Sequence, residues 1–205
     1  GVGKTTTAIN LGAYLGTYGQ KVLIVDIDPQ ANATSCLGID KNDVDGGTYD
    51  VIIGRQPILT QILHNPRFKI SLLPSSPALA GAEIELINLH NRERLLSKAL
   101  DSIRSRYDYM LIDCPPSLGL LTLNGLVAAK NGLIIPIQCE YLALEGLGQL
   151  VNTINRVRNQ IFKQLEIHGV ILTMYDGRTN LSADVAQEVQ RYFGKQVFNS
   201  VIPRS

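Results

Sequence analysis

Five short apolar runs punctuate the chain: Lys21–Asp28 (KVLIVDID), Lys69–Ser76 (KISLLPSS), Tyr107–Pro116 (YDYMLIDCPP), Asn131–Gln138 (NGLIIPIQ) and Ile167–Tyr175 (IHGVILTMY). They are short and nearly continuous in apolar character, with Lys21–Asp28 also rich in β-branched residues, the pattern of strands buried on both faces. Longer amphipathic stretches lie between them and predict helices. These are Lys4–Tyr18, closed by Gly19, then roughly Ala78–Arg106, Leu118–Lys130, roughly Leu144–Leu165, and Ser182–Phe193. Alternating strands and helices with fully apolar strands predict an α/β fold, a mostly parallel twisted sheet with helices on both faces. Asn42–Leu63 follows no clear period and is expected to hold short helices under a loop. No stretch is rich enough in Gly, Pro or Ser to mark a linker, so residues 1–205 read as a single domain.

Composition narrows the class. With 205 residues, 45% apolar and 18% charged, the chain can bury a sizeable core without staples. A net charge of +1 gives no global field that would announce a polyanionic partner. The charge is uneven, however. Asp26, Asp28, Asp40, Asp43, Asp45 and Asp50 crowd the first part, whereas Arg156, Arg158, Lys163, Arg178, Arg191, Lys195 and Arg204 lie in the last, a hint of a basic face there. Cys36, Cys114 and Cys139 are widely spaced and odd in number, which reads as reduced thiols of a cytosolic protein. His64, His90 and His168 lack metal-ligand spacing, and no apolar run is long enough to span a membrane.

The candidate chemistry begins at the first residues. Gly3-Lys4-Thr5 matches the last three elements of the phosphate loop G-x-x-x-x-G-K-[ST], whose opening Gly lies outside the chain. In such a loop backbone amides wrap the phosphates, the Lys neutralises them, the hydroxyl ligates magnesium, and the following helix points its positive end at the anion. Alone, the three residues suit an ordinary strand-to-helix turn equally well. Asp26 and Asp28 end the next apolar run on one face, where a parallel sheet binds ligands, and suit magnesium-shell or water-orienting work; solvated turn acids are the alternative. Asp113 closes another apolar run as a Walker B acid would, although it could simply cap the segment that follows. Ser117–Asn124 (SLGLLTLN) leaves that acid where a γ-phosphate sensor would sit, or is a plain connector. Taken together these features point to nucleotide hydrolysis, and the absence of N-K-x-D favours adenine over guanine.

The blocks GVGKTTTAINLG, VDIDPQANATSCLG, YDYMLIDCPPSLGLLTLNGL, PIQCEYLALEGLGQL, LTMYDGRTNL and VIPR resemble the ParA/Soj chromosome-partitioning ATPases, in order from Gly1 to Ser205. The likeness is to the subgroup without an N-terminal DNA-binding extension. It implies a P-loop NTPase fold, ATP and Mg2+ as cofactors, and two nucleotides sandwiched in a homodimer. It also implies non-specific double-stranded DNA as a partner of that dimer, and hydrolysis stimulated by a ParB-type centromere-binding protein. Localisation would be cytoplasmic and nucleoid-associated, with no membrane partner. In the family the loop reads K-G-G-V-G-K-T-T, so the signature Lys and the first strand are expected to precede Gly1 in a longer protein. The end at VIPRS likewise stops inside a family block.

By position, the resemblance makes Lys4 the phosphate Lys, Gly1, Val2 and Gly3 the loop amides, Thr5 the magnesium ligand and Thr6 an α-phosphate contact. Asp28 would position the attacking water with Asp26 beside it, and Asp113 would be the Walker B acid. Pro203 would line the adenine pocket, where Ser205 replaces a family Asn. Arg178 would contact DNA in the ATP dimer. Glu140, Tyr141 and Glu145 could serve an interface or a ribose. An iron–sulfur role for Cys114, suggested by the related loop of nitrogenase iron protein, lacks the further thiolates a cluster needs. A second reading, a MinD-like membrane-cycling ATPase, would require a basic amphipathic helix after Ser205.

Overall fold

The structure, a computed structural model, describes residues 1–204, without the side chains of 141–147 and 150. Tyr141, Glu145 and Ser205 therefore lie outside what can be assigned. The chain divides into two compact units, one of residues 5–128 and the other of residues 1–4 with the chain from Ala129 onward. The division falls inside the Gly-Lys-Thr motif.

The first unit opens with α1 (Lys4–Thr17), β1 (Val22–Asp26), α2 (Asn32–Cys36), α3 (Thr48–Ile52) and α4 (Ile58–Gln61). It continues through β2 (Leu63–Asn65), β3 (Ile70–Leu73), α5 (Leu79–Leu86), α6 (Leu95–Asp101), β4 (Tyr109–Asp113) and α7 (Leu120–Ala128). The strand order is β2-β3-β1-β4, with β1 parallel to both neighbours and β2 antiparallel at the edge.

Every residue of β1 is buried, which is why its sequence shows no polar alternation. Leu23 and Val25 face a core built with Val51, Leu86, Leu96 and Leu121 of the helices that follow, whereas Val22 and Ile24 face Ile70, Leu72 and the α1 residues Ile9 and Leu15. Each such fully buried side chain contributes about 1.5–3 kcal/mol. Gly12 lets α1 lie close, because a Cβ there would come within 2.7 Å of Ile24 Cδ1. Gly19, at φ 80°, turns the chain out of α1 as expected.

The helix expected over Ala78–Arg106 is not continuous. It breaks into α5, a 3-10 turn at Arg92–Arg94, α6 and another turn at Arg104–Arg106. Asn91 takes left-handed backbone (φ 55°) between α5 and α6, a conformation that ends a helix and that Asn tolerates better than most residues. The short, largely exposed β2 carries too little apolar character to be read as a strand.

The second unit comprises β5 (Leu133–Gln138), α8 (Tyr141–Gln160), β6 (Ile167–Tyr175), α9 (Asn180–Phe193) and β7 (Val197–Pro203). Its sheet is parallel throughout, ordered β5-β6-β7. Thr179 caps α9 by accepting the Ser182 amide, and Ser182, Val185, Val189 and Phe193 form the buried stripe of that helix. Among the described residues no helix is long and apolar enough to cross a membrane.

Candidate nucleotide site

In the first unit the carboxyl ends of β1 and β4 coincide, with Asp26 directly paired with Asp113 in the parallel register. Thr5, in the first turn of α1, donates its hydroxyl to Asp113 Oδ2 at 2.7 Å. A helix-N-terminal hydroxyl and a strand-end acid are thus joined directly, as a phosphate loop and a Walker B acid would be. Asp113 is almost fully buried.

Asp26 is completely buried. Its Oδ2 accepts the Thr34 amide at 2.8 Å and the Thr34 hydroxyl at 2.7 Å, while its Oδ1 accepts the Asp28 amide at 3.1 Å. Burial pushes the carboxyl above its ordinary value of 3.8, and the Thr34 hydrogen bonds work against that rise. Asp26 is therefore committed to holding the loop after β1. Asp28 is less enclosed, with Oδ1 accepting the Gln30 amide at 2.9 Å, and its backbone carbonyl takes the Ser75 hydroxyl at 2.8 Å. Ser75 in turn donates its amide to the Thr34 hydroxyl. Thr48 spans the Asp26 and Pro74 carbonyls.

Thr34, Thr48 and Ser75 were not singled out from the sequence. Ser75 closes an apolar run, which was the signal available for it; Thr34 and Thr48 lie 8 and 22 residues beyond Asp26 and carry no such signal. Of the SLGLLTLN stretch, Asn124 has a structural role: it is fully buried, accepts the Leu96 amide and donates to the Arg92 and Leu120 carbonyls. Thr6 is exposed, and its carbonyl accepts the Asn10 side-chain amide. Among the described residues no group of three or more His, Cys, Asp or Glu is arranged to hold a metal ion.

In the second unit the loop residues meet the end of β6. The Val2 carbonyl accepts the Thr173 hydroxyl at 3.0 Å. Gly3 has φ 87°, a conformation that excludes most side chains, and passes over the Thr173 methyl. Gly1 is exposed, and Lys4 is half-buried and makes no ion pair among the described residues. Pro203, exposed at the end of β7, is in register with Tyr175.

Arg178 lies in the turn after β6 with its side chain 89% exposed, yet it is not unpartnered. Asp176 receives its Nε at 2.9 Å, its Nη2 at 2.8 Å and its backbone amide at 3.0 Å. These bonds lower the Asp176 carboxyl to about 2. Arg204 approaches Glu140 at 3.5 Å.

A sequence profile of the AAA domain family matches residues 1–167. The chain is 50% identical over its whole length to the sporulation initiation inhibitor protein Soj of Bacillus subtilis, covering 81% of that protein. It is 48% identical to the chromosome partitioning protein ParA of Myxococcus xanthus, again over the whole chain and 72% of the relative. The chain belongs to the Soj/ParA family. The fold agrees: a structure described as cobyrinic acid a,c-diamide synthase from Mycobacterium smegmatis, with bound ATP analog and magnesium, superposes with a TM-score of 0.94 at 40% identity, covering 100% of this chain and 83% of that one. Within the Soj/ParA family setting, the α/β architecture is that of a P-loop NTPase.

Proposed function

We propose that this chain is a Mg2+-dependent ATPase that drives chromosome or plasmid partitioning. The observation that carries the reading is the 2.7 Å hydrogen bond from Thr5 to Asp113 at the start of a helix. A hydroxyl and a buried carboxylate are hard oxygen donors, and so few protein oxygens suit an ion that keeps waters and phosphate oxygens in its shell. Magnesium, when bound, would neutralise charge developing on the transferred phosphoryl group.

Gly1, Val2 and Gly3 offer loop amides, Lys4 a compact positive charge, and Thr6 a hydroxyl at the helix start. Thr5 and Asp113 hold the ion. Asp28, with a carboxylate less committed than that of Asp26, orients the attacking water. Asp26 supports Asp28 by accepting its amide. Pro203 borders the adenine. Residues 1–205 act as one P-loop domain.

ATP pairs two copies, and the pair binds duplex DNA without sequence preference through Arg178, placing the protein on the nucleoid. Doubling the cationic contacts is what couples nucleotide to DNA. A ParB-type partner stimulates hydrolysis and resets the cycle. Steady-state phosphate release by the full-length protein tests the reading. Turnover is expected with ATP and magnesium and is abolished by Lys4→Ala; a chain with no turnover overturns it.

A further inference from the structure

At the amino-terminal ends of the strands in the first unit lies a cavity of about 460 Å³ whose lining includes Lys21, His64, Lys69, Arg106 and Tyr107. No acidic side chain lines it. Lys21, Lys69 and Arg106 are all exposed, and none is in an ion pair among the described residues. The nearest acid along the chain, Asp108, gives one carboxylate oxygen to the Lys21 backbone amide at 2.8 Å. Arg104, a close sequence neighbour, is by contrast paired with Asp101.

Three unpaired cations around one concavity repel one another, so the arrangement costs the fold something and is relieved by an anion. Lys69 adds an independent observation. It adopts left-handed backbone (φ 54°), where Gly or Asn would be less strained, and yet the position carries a long cationic side chain. The turn is pressed against α1, where a Cβ on Gly16 would lie 2.8 Å from the Phe68 carbonyl and 3.0 Å from that of Lys69. The backbone at Lys69 is thus held by packing, and the residue stands in the lining of the cavity.

We propose that this cavity is a second anion site, one that takes phosphate groups. Lys21, Lys69 and Arg106 supply the charge, and the Arg106 guanidinium can donate to a phosphate in fork geometry. It is separate from the triphosphate chemistry assigned to the other end of the strands of this same sheet, and it does not rest on Arg178.

Phosphates could arrive on a duplex backbone or on a free polyphosphate, and two probes separate these. A labelled short DNA duplex is titrated by fluorescence polarisation. Inorganic tripolyphosphate is titrated by calorimetry on a Lys4→Ala background, so that the phosphate loop does not contribute. The triple substitution Lys21→Gln, Lys69→Asn, Arg106→Gln is expected to weaken at least one probe about tenfold, and for the duplex to flatten the salt dependence by up to about three phosphate contacts. Loss with the duplex alone assigns the site to nucleic-acid backbone; loss with tripolyphosphate alone assigns it to a soluble ligand. Unchanged binding of both overturns the proposal. Should the triple variant lose its circular-dichroism signature, Lys69→Asn alone decides. Asn tolerates the left-handed backbone, and about a threefold weakening is expected for one lost contact; no change overturns the site. Arg178→Glu in parallel leaves the effect of these substitutions intact, whatever it does to DNA binding itself.

Discussion

Asp26 and Asp113 stand opposite one another at the carboxyl ends of adjacent parallel strands, yet they are tied to different partners. Asp113 receives the Thr5 hydroxyl from the start of α1, whereas Asp26 is enclosed by Thr34 and the Asp28 amide. One carboxylate takes the first turn of α1, and the other serves the loop after its own strand.

Removing the Thr5–Asp113 contact should cost magnesium-dependent nucleotide affinity. A hydrogen bond to a charged group is worth about 1.5–3 kcal/mol, so Thr5→Val is expected to weaken Mg-ATP binding roughly tenfold to a hundredfold. Binding measured with magnesium and with EDTA checks this. A loss of equal size in both conditions would assign Thr5 to the phosphates and not to the ion.

Asp28→Ala should separate binding from turnover. ATP affinity is expected to stay within about twofold, while phosphate release falls by about a hundredfold or more, the usual weight of a proton-handling or water-orienting group. Wild-type turnover in this variant would remove Asp28 from the catalytic assignment.

Thr34 joins Asp26 to Ser75, so Thr34→Val leaves a buried carboxylate short of a donor and a buried amide without its acceptor. Denaturant unfolding is expected to show a loss of about 2–3 kcal/mol at constant slope.

The pH dependence of Asp26 follows from its burial. Its folded pKa lies above the unfolded value of 3.8, so its contribution to stability is fully present below 3.8 and is lost as pH rises through the folded value. A carboxyl-carbon NMR titration should place its midpoint above 3.8, and Thr34→Val should move it higher still, because the Thr34 bonds favour the ionised form.

Asp176 runs the other way. Its carboxyl titrates near 2, held down by the Arg178 hydrogen bonds, so the pair persists above 3.8 and is lost as pH falls through about 2. In Arg178→Gln the midpoint should climb toward 3.8. Because Arg178 is almost wholly exposed, the same substitution is expected to leave thermal stability nearly unchanged, which a melting curve checks.

Much of this protein was readable from residue order. Short continuous apolar runs alternating with amphipathic stretches are the pattern of a parallel sheet, so five strands and the α/β class followed directly, with β6 matching its run residue for residue, although only β1 is buried throughout while β4 and β5 are partly open. Gly3-Lys4-Thr5, Asp28 and Asp113 could be singled out as candidates because phosphate chemistry asks for such side chains at the ends of strands and starts of helices, and of these the fold joins Thr5 to Asp113. Tertiary structure decided what depends on distant partners. Asp26 and Asp28 look equivalent in DIDP, and only the fold, by bringing Thr34 over Asp26, makes one a buried support and leaves the other less enclosed. Arg178 reads as a lone loop cation until Asp176 is seen beneath it. The edge strand β2 and the cation-lined cavity likewise depend on long-range pairing and packing, which local periodicity does not encode, whereas the break at Asn91 is a local left-handed turn.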